Sequence, residues 1–287
     1  MICIFHFAGY SGSENNTFQL ADSLKDEGAF EWAALEYERI CFEAFDNVVK
    51  TEALNKKSDC LLGMNNPKAA QKNLLRINYF GISDSLVYES RFRTAYSSYL
   101  SEDFEQAASQ LFLVDQFLPE RFQQKAAILY AITLNELRKW DQAKAKLEFW
   151  VEHSDLDSIG RDSALMNIDA VYNADNYPKF RDPERASTWS TFIPGSGQLY
   201  SGHFWDAAFS VAMMVTGLGL AAVGIFVIQY YVAGVILGYG VFQRFYMAGV
   251  KRAEYLANRK NYRTKRDYNT ELLAMITLLQ KKSPIHD

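Results

Sequence analysis

The chain has 287 residues, 49% of them hydrophobic and 22% charged, with a formal net charge of −4. That length has room for roughly two domains, and the charge lacks the global basic excess that would mark a nucleic-acid binder. Three cysteines (Cys3, Cys41 and Cys60) are an odd number without metal-ligand spacing, which excludes a disulfide framework and makes them buried small hydrophobes.

In chain order, Met1 to Ala8 is apolar and Gly9 to Ser13 is small. This pattern fits the end of a secretory signal whose basic start was cut off by a start site placed too late; a disordered tail fits it too. Residues 1–15 are set apart from the fold on either reading. Gly9-Tyr10-Ser11-Gly12 misses the G-x-S-x-G spacing of a nucleophile elbow.

From Thr17 to Tyr172 apolar residues recur at three and four positions, which predicts amphipathic helices and no strands. A period of about 36–37 residues runs through this region. Its anchors are Phe30, Pro67, Phe104 and Trp140. Small residues follow at Ala33, Ala70, Ala107 and Ala143, bulky ones at Tyr37, Leu74, Leu111 and Leu147, then Ile40, Ile77, Val114 and Trp150. A small residue lets the preceding helix approach, and the bulky residue one turn later fills the gap to the next repeat. Such helix pairs bury their apolar faces only by stacking. The pattern resembles the tetratricopeptide repeat family in its A-x3-F step at Ala33/Tyr37, with Leu at the later copies and Pro119 at the repeat-ending position. The first-helix signature is carried by Leu20-Ala21, Ala95 and Ala131, without W-x2-L-G. The resemblance covers about half the chain and implies a solenoid over residues 16–172 that binds a protein or peptide. Ser154 to Tyr172 is expected to close it as a terminal helix.

Asn173 to Glu184 is rich in Asn, Asp and Pro and reads as a linker, assigned to 173–186, with Asp182 as N-cap and Pro183 at N1 of a following helix. Between Arg185 and Arg244 there is no Lys or Arg. Two apolar runs fill that gap: Ala207 to Ile228, and Val232 to Val241 continuing to Gly249. The first meets the ~20 apolar residues that a spanning helix needs; the second carries Gln243 and Arg244 near its end. Together they predict a membrane hairpin within 187–253, its seam formed by Gly217, Gly219 and Gly224 facing Gly234, Gly238 and Gly240.

Just before the first run stands Pro194-Gly195-Ser196-Gly197-Gln198-Leu199-Tyr200-Ser201-Gly202. A dinucleotide fingerprint needs Gly where Tyr200 stands, and a P-loop needs Lys-Ser/Thr where His203-Phe204 follows. The stretch therefore reads as a short interfacial helix or turn, with Ser196 and Gln198 satisfying its irregular backbone and Trp189, Phe192, Tyr200, Phe204 and Trp205 at headgroup depth. The block resembles small bacterial integral-membrane modules with a P-G-x-G-Q-x-Y-x-G signature, carried here by Pro194, Gly195, Gly197, Gln198, Tyr200 and Gly202. Their fusion to repeats looks like proteins of Bacteroidetes-type bacteria. The resemblance implies an architecture and not an activity.

Residues 244–282 hold ten Lys/Arg against three Asp/Glu. Arg244, Lys251 and Arg252 are the candidate lipid or partner contacts, Arg244 by snorkelling to the interface. A separate basic helix is expected over 254–287, its stripe of Leu272, Leu273, Met275, Ile276 and Leu279 folding back on the repeats. The expected fold is all-α: a tetratricopeptide-like solenoid, a transmembrane helical hairpin and a basic C-terminal helix.

His6, His153, His203 and His286 are isolated, and no HExxH, CxxC or triad spacing occurs, so no catalytic, cofactor or metal residues are assigned and no nucleic acid is expected. The expected function is a membrane-anchored scaffold in a bacterial inner membrane, serving envelope assembly or membrane-protein biogenesis. An oligomeric pore or transporter with regulatory repeats is the alternative, and homo-oligomerisation stays open. Basic flanks argue for cytoplasmic ends, a truncated signal for the opposite side. The cleavage-like Gly9 to Ser13 favours extracytoplasmic repeats.

Overall fold

The computed structural model describes residues 17–227 and 231–282, so the signal-like residues 1–15 lie outside the described residues. All regular structure among the described residues is helical. The chain divides into two compact units, one formed by the helices up to Asn173 together with the end of the last helix from Met275, the other by Ala174–Ala274.

The first unit has a helical, repeat-like architecture of α1 (Gln19–Asp26), α2 (Phe30–Glu43), α3 (Asn47–Gly63), α4 (Pro67–Leu74), α5 (Asp84–Leu100), α6 (Phe104–Phe117), α7 (Glu120–Glu136), α8 (Trp140–Glu152) and α9 (Ser158–Val171). Each helix packs on the next, and α3, α5 and α7 also stack on one another, which makes α3–α8 a layered array. The anchors Phe30, Pro67, Phe104 and Trp140 are the first residues of α2, α4, α6 and α8. Two residues earlier, Gly28, Asn65, Glu102 and Arg138 all have positive φ, between 54° and 79°. The same left-handed residue thus turns the chain in every repeat. Glycine adopts it without strain, whereas a side chain such as that of Glu102 costs ~1 kcal/mol or more. Glu102→Gly is therefore expected to raise the melting temperature, by up to ~1 kcal/mol of stability once backbone entropy is offset, read by circular dichroism; a lowered temperature would show that the turn is not strained.

The periodic positions form the core. Ala33, Ala70, Ala107 and Ala143 are fully buried, as are Tyr37, Leu74 and Leu111, with Leu147 at 1% exposure. Ile40, Ile77, Val114 and Trp150 are buried behind them. On the first helices the small residues Ala21, Ser58, Ala95 and Ala131 are buried in register. Ser58 completes a series that sequence reading found only at the other three, because a hydroxyl at an apolar position hides the pattern; its Oγ is satisfied by donating to the carbonyl of Asn55 (2.6 Å).

Charges stitch the first layers together. Lys56 pairs with Asp22 (2.8 Å), Lys25 with Asp59 (3.5 Å), and Arg93, 7% exposed, pairs with Asp59 and with Glu89 (2.9 Å). Burial lowers the Arg93 pKa to about 10 and raises that of Glu89. On another face Arg76 grips Glu38 through two 2.9 Å bonds while Lys57 donates to the same carboxylate (2.9 Å). The Arg76 hydrogen bonds are the largest cause of a Glu38 pKa near 2, well below the ordinary carboxylate range. A depressed carboxylate pKa stabilises the fold above its unfolded value of ~4.3 and loses that contribution as pH falls toward ~2. The stability gap between wild type and Arg76→Ala is therefore expected to be full at neutral pH and to close as pH drops through this window. A gap independent of pH would contradict the pairing.

The second unit holds α10 (Pro183–Phe192), α11 (Ser196–Tyr200), α12 (Phe204–Phe226) and most of α13 (Tyr231–Lys282). Asp182 caps α10 by accepting from the backbone N–H of Glu184 (2.9 Å) and of Arg185 (3.1 Å), with Pro183 following at N1. Among the described residues one helix, over Phe204–Gly224, is long and apolar enough to cross a membrane. The second apolar run, diluted by Gln243 and Arg244, is the start of a 52-residue helix. No break separates a hairpin ending at 253 from a basic helix over 254–287, because nothing from Lys251 onward interrupts helical bonding before Lys282: there is no proline or glycine.

Candidate functional site

The P-G-x-G-Q-x-Y-x-G block is a helix junction. Its centre is Gln198, a fully buried amide. Its Oε1 accepts from Ser190 Oγ of α10 (2.9 Å), and its Nε2 donates to Ser210 Oγ of α12 (3.1 Å) and to the Gly249 carbonyl of α13 (2.9 Å). One side chain thus ties α11 to three helices and meets most of its hydrogen-bonding capacity in doing so. Leaving such an amide unpaired in an apolar setting costs several kcal/mol, so these bonds specify the packing.

The glycines make room for this. A Cβ on Gly197 would lie 1.8 Å from the Ala186 carbonyl oxygen, and the Gly197 N–H donates to Ser190 Oγ (3.0 Å). Gly195, φ +88°, starts α11 in a left-handed conformation, with Pro194 just before it and the Ala207 carbonyl 3.0 Å from where its Cβ would stand. Gly202, φ +81°, turns the chain after α11. Ser196 Oγ donates to the Ile193 carbonyl (2.7 Å). Tyr200 lies half-buried against Ala186, Ala253 and Ala257, its hydroxyl accepting the Asp182 N–H (3.1 Å) and its ring carrying the Arg181 guanidinium. Gly195, Gly197, Gln198 and Tyr200 are therefore spent on internal packing.

Two further ties fix α10 along α13. The Tyr246 hydroxyl donates to the Thr191 carbonyl (2.7 Å), and Arg181 and Asn261 exchange two bonds of 2.7 and 2.6 Å. Sequence reading missed Ser190, Ser210 and Gly249 as partners of Gln198. The available signal was a hydroxyl at Ser210 opening an apolar run, and a small residue at Gly249 closing one.

The seam between α12 and α13 is narrower than the glycine pattern suggested. Gly238 abuts Ala221, where an added Cβ would come within 2.2 Å of the Ala221 Cβ. On α12 the inward positions Ala207, Ser210, Met214, Gly217, Ala221 and Gly224 follow a three–four spacing and are all buried or half-buried. Gly219 falls off that spacing, and a Cβ added there or at Gly240 of α13 would meet nothing within 4 Å. They are not seam residues, since helix periodicity turns them outward. Gly234 is not among the residues whose side-chain surroundings are described.

Of the three cations singled out, Arg244 and Lys251 are exposed, whereas Arg252 is engaged within the chain, its Nη2 lying 3.1 Å from Asp206 Oδ1. Asp206 is the sole charged side chain between residues 186 and 243. From this pair an apolar surface runs along α12. Phe204, Trp205, Phe209, Val215, Leu218 and Phe226 of α12 are more than half exposed, Trp205 at 82%, and only 22% of the candidate span is buried.

In the repeats, Phe30, Phe104 and Trp140 are half-buried turn anchors and Ala33, Tyr37, Ala107, Leu111, Ala143 and Leu147 are interior, so the interior set fixes the stacking. Buried polar links join successive layers, Asn55 Nδ2 to Ser90 Oγ (2.9 Å) and Asn135 Nδ2 to the Tyr172 hydroxyl (2.7 Å). Among the described residues no three His, Cys, Asp or Glu side chains are placed to hold a metal ion. No protein-family description matches the sequence, and no curated protein or solved structure matches it.

Proposed function

We propose that the chain is a membrane-anchored scaffold of the bacterial inner membrane: α12 and the start of α13 form a hairpin in the bilayer, and a tetratricopeptide-like repeat stack engages a protein or peptide partner in envelope assembly or membrane-protein biogenesis. The observation that carries this reading is the exposure of α12. A core helix of a soluble protein would be mostly buried, whereas this one leaves its aromatic and branched side chains uncovered along its length.

Magnitudes favour the bilayer and locate its boundary. From Arg252 back to Tyr231, α13 rises ~32 Å at 1.5 Å per residue, matching a ~30 Å hydrocarbon layer. The Asp206–Arg252 pair then sits at one interface. This places Arg244 inside the layer, at a cost of ~3 kcal/mol on insertion scales that its long stem reduces by reaching back toward the headgroups. Against it stand nine α12 side chains of 43% exposure or more, from Phe204 to Phe226. Covering them contributes ~1 kcal/mol or more each, so the apolar surface outweighs the arginine. Exposed Lys251 and the basic residues beyond it favour an anionic headgroup layer. The pore alternative gains nothing here, since Asp206, the one acid in the segment, is already paired.

Crosslinking in native membranes followed by mass spectrometry tests the scaffold reading. The full chain is expected to trap a discrete partner that a chain lacking residues 17–172 does not. Identical capture by both would remove the repeats from the function. The repeats are assigned to the extracytoplasmic side, and a reporter fused after Asp287 tests this: alkaline phosphatase activity is expected, and its absence reverses the side.

A further inference from the structure

We infer, on the strength of the membrane reading above, that α10, α11 and the start of α12 form a one-sided lipid wedge, which makes the protein favour membranes whose leaflet on the Asp206–Arg252 side is convex. Three contacts set α10 antiparallel to α13: Arg181 with Asn261, Ala186 with Ala253 and Ala257, and Thr191 with Tyr246. The chain then turns back through α11, whose Gln198 reaches Gly249 and whose Tyr200 returns to the level of Ala253 and Ala257. Alongside α13 between Tyr246 and Ala257 there are thus three other segments. Between Tyr231 and Phe245 the neighbour shown is α12, through Ala221 at Gly238, while α10 ends at the level of Tyr246 and α11 turns back from there.

The bulky layer reaches into lipid. Tyr246 lies six residues below Arg252, ~9 Å along the helix, inside the boundary set by the Asp206–Arg252 pair. At this level the surplus segments present Trp189, Phe192, Ile193 and Leu199 outward, all at least half exposed and Phe192 at 80%. This rim is apolar, and it is continuous with the exposed face of α12, so acyl chains are its occupant. Four segments near the headgroups and two beneath them give a cross-section that tapers toward the midplane. A flat leaflet must bend its acyl chains under such a shape, and a convex leaflet relieves that packing defect. Shallow apolar insertions of this depth, ~5–10 Å, are curvature-sensitive for the same reason.

The test uses the full chain, fluorescently labelled and reconstituted sparsely into small and large phosphatidylcholine–phosphatidylglycerol vesicles, with protein per lipid read vesicle by vesicle. The share of a label placed after Asp287 that a membrane-impermeant quencher added outside extinguishes identifies molecules whose wedge lies in the outer leaflet. Those molecules are expected to be enriched several-fold in the smallest vesicles, and the oppositely oriented ones depleted. The combined variant Trp189→Ser, Phe192→Ser, Ile193→Ser is expected to float with vesicles and lose the sorting. Equal densities at every size for wild type that floats, or unchanged sorting by the variant, would overturn the wedge. Wild type that fails to float would overturn the membrane reading itself, and the wedge with it.

Discussion

Gly197→Ala is expected to dismantle the helix junction while leaving the repeats folded. The added methyl would stand 1.8 Å from the Ala186 carbonyl oxygen and 2.6 Å from Ser190 Oγ. The obstacle at Ala186 is backbone, so no rotamer change relieves it, and α10 or α11 has to move. Either movement separates Ser190 from Gln198, whose amide is then left in an apolar site with a broken set of partners. Overpacking costs ~1–3 kcal/mol and a buried unsatisfied amide a similar amount, and both fall on the same junction. In detergent the variant should be cut rapidly by trypsin at Arg181 and Arg185, where wild type resists. Its helical signal should fall only by the share that α10 and α11 contribute. Gln198→Leu probes the same junction without the clash and should show weaker protease sensitivity of the same kind. Wild-type resistance in Gly197→Ala would mean that Ala186 and Gly197 are not in contact.

Leu111→Ala is expected to be the most damaging single truncation in the repeat unit. Leu111 is fully buried, one turn beyond the invariantly small Ala107, in the middle layer of the array. Truncating a fully buried leucine costs ~2–5 kcal/mol, more where the cavity cannot collapse. Collapse is opposed here because α6 is pinned between α5 and α7. The loss should appear as a lower unfolding temperature of the repeat unit. Leu75→Ala serves as the control, its side chain being half exposed just after α4, and should change stability by less than ~1 kcal/mol. Equal effects at the two positions would contradict the stacking register.

That register was readable because it is written in side-chain size. The steps Ala33/Tyr37, Ala70/Leu74, Ala107/Leu111 and Ala143/Leu147 alternate small and bulky at helical spacing, and burial follows each one. The turn two residues before each anchor was less legible: Gly28 and Asn65 announce a left-handed residue, Glu102 and Arg138 do not, and only the surrounding fold forces them into it. In the second unit the sequence marked the right residues and left their use open. The glycines of the 194–202 block were recognisable as places of close approach, but what they approach, the Ala186 and Ala207 carbonyls, comes from segments on either side. Gln198 looked like a local backbone cap, and its longest tie is to Gly249, 51 residues away. The glycine seam misled in part, because composition does not say which face of a helix a glycine occupies; Ala221 supplies the contact that Gly219 was expected to make.

Alkaline carbonate extraction of membranes from cells expressing the full chain addresses the anchoring most directly. With α12 and the start of α13 inside the bilayer, the protein should remain in the pellet after extraction and be released only by detergent. Recovery in the carbonate supernatant, or in the soluble fraction of a detergent-free lysate, would mean that the exposed face of α12 is covered by protein instead of lipid.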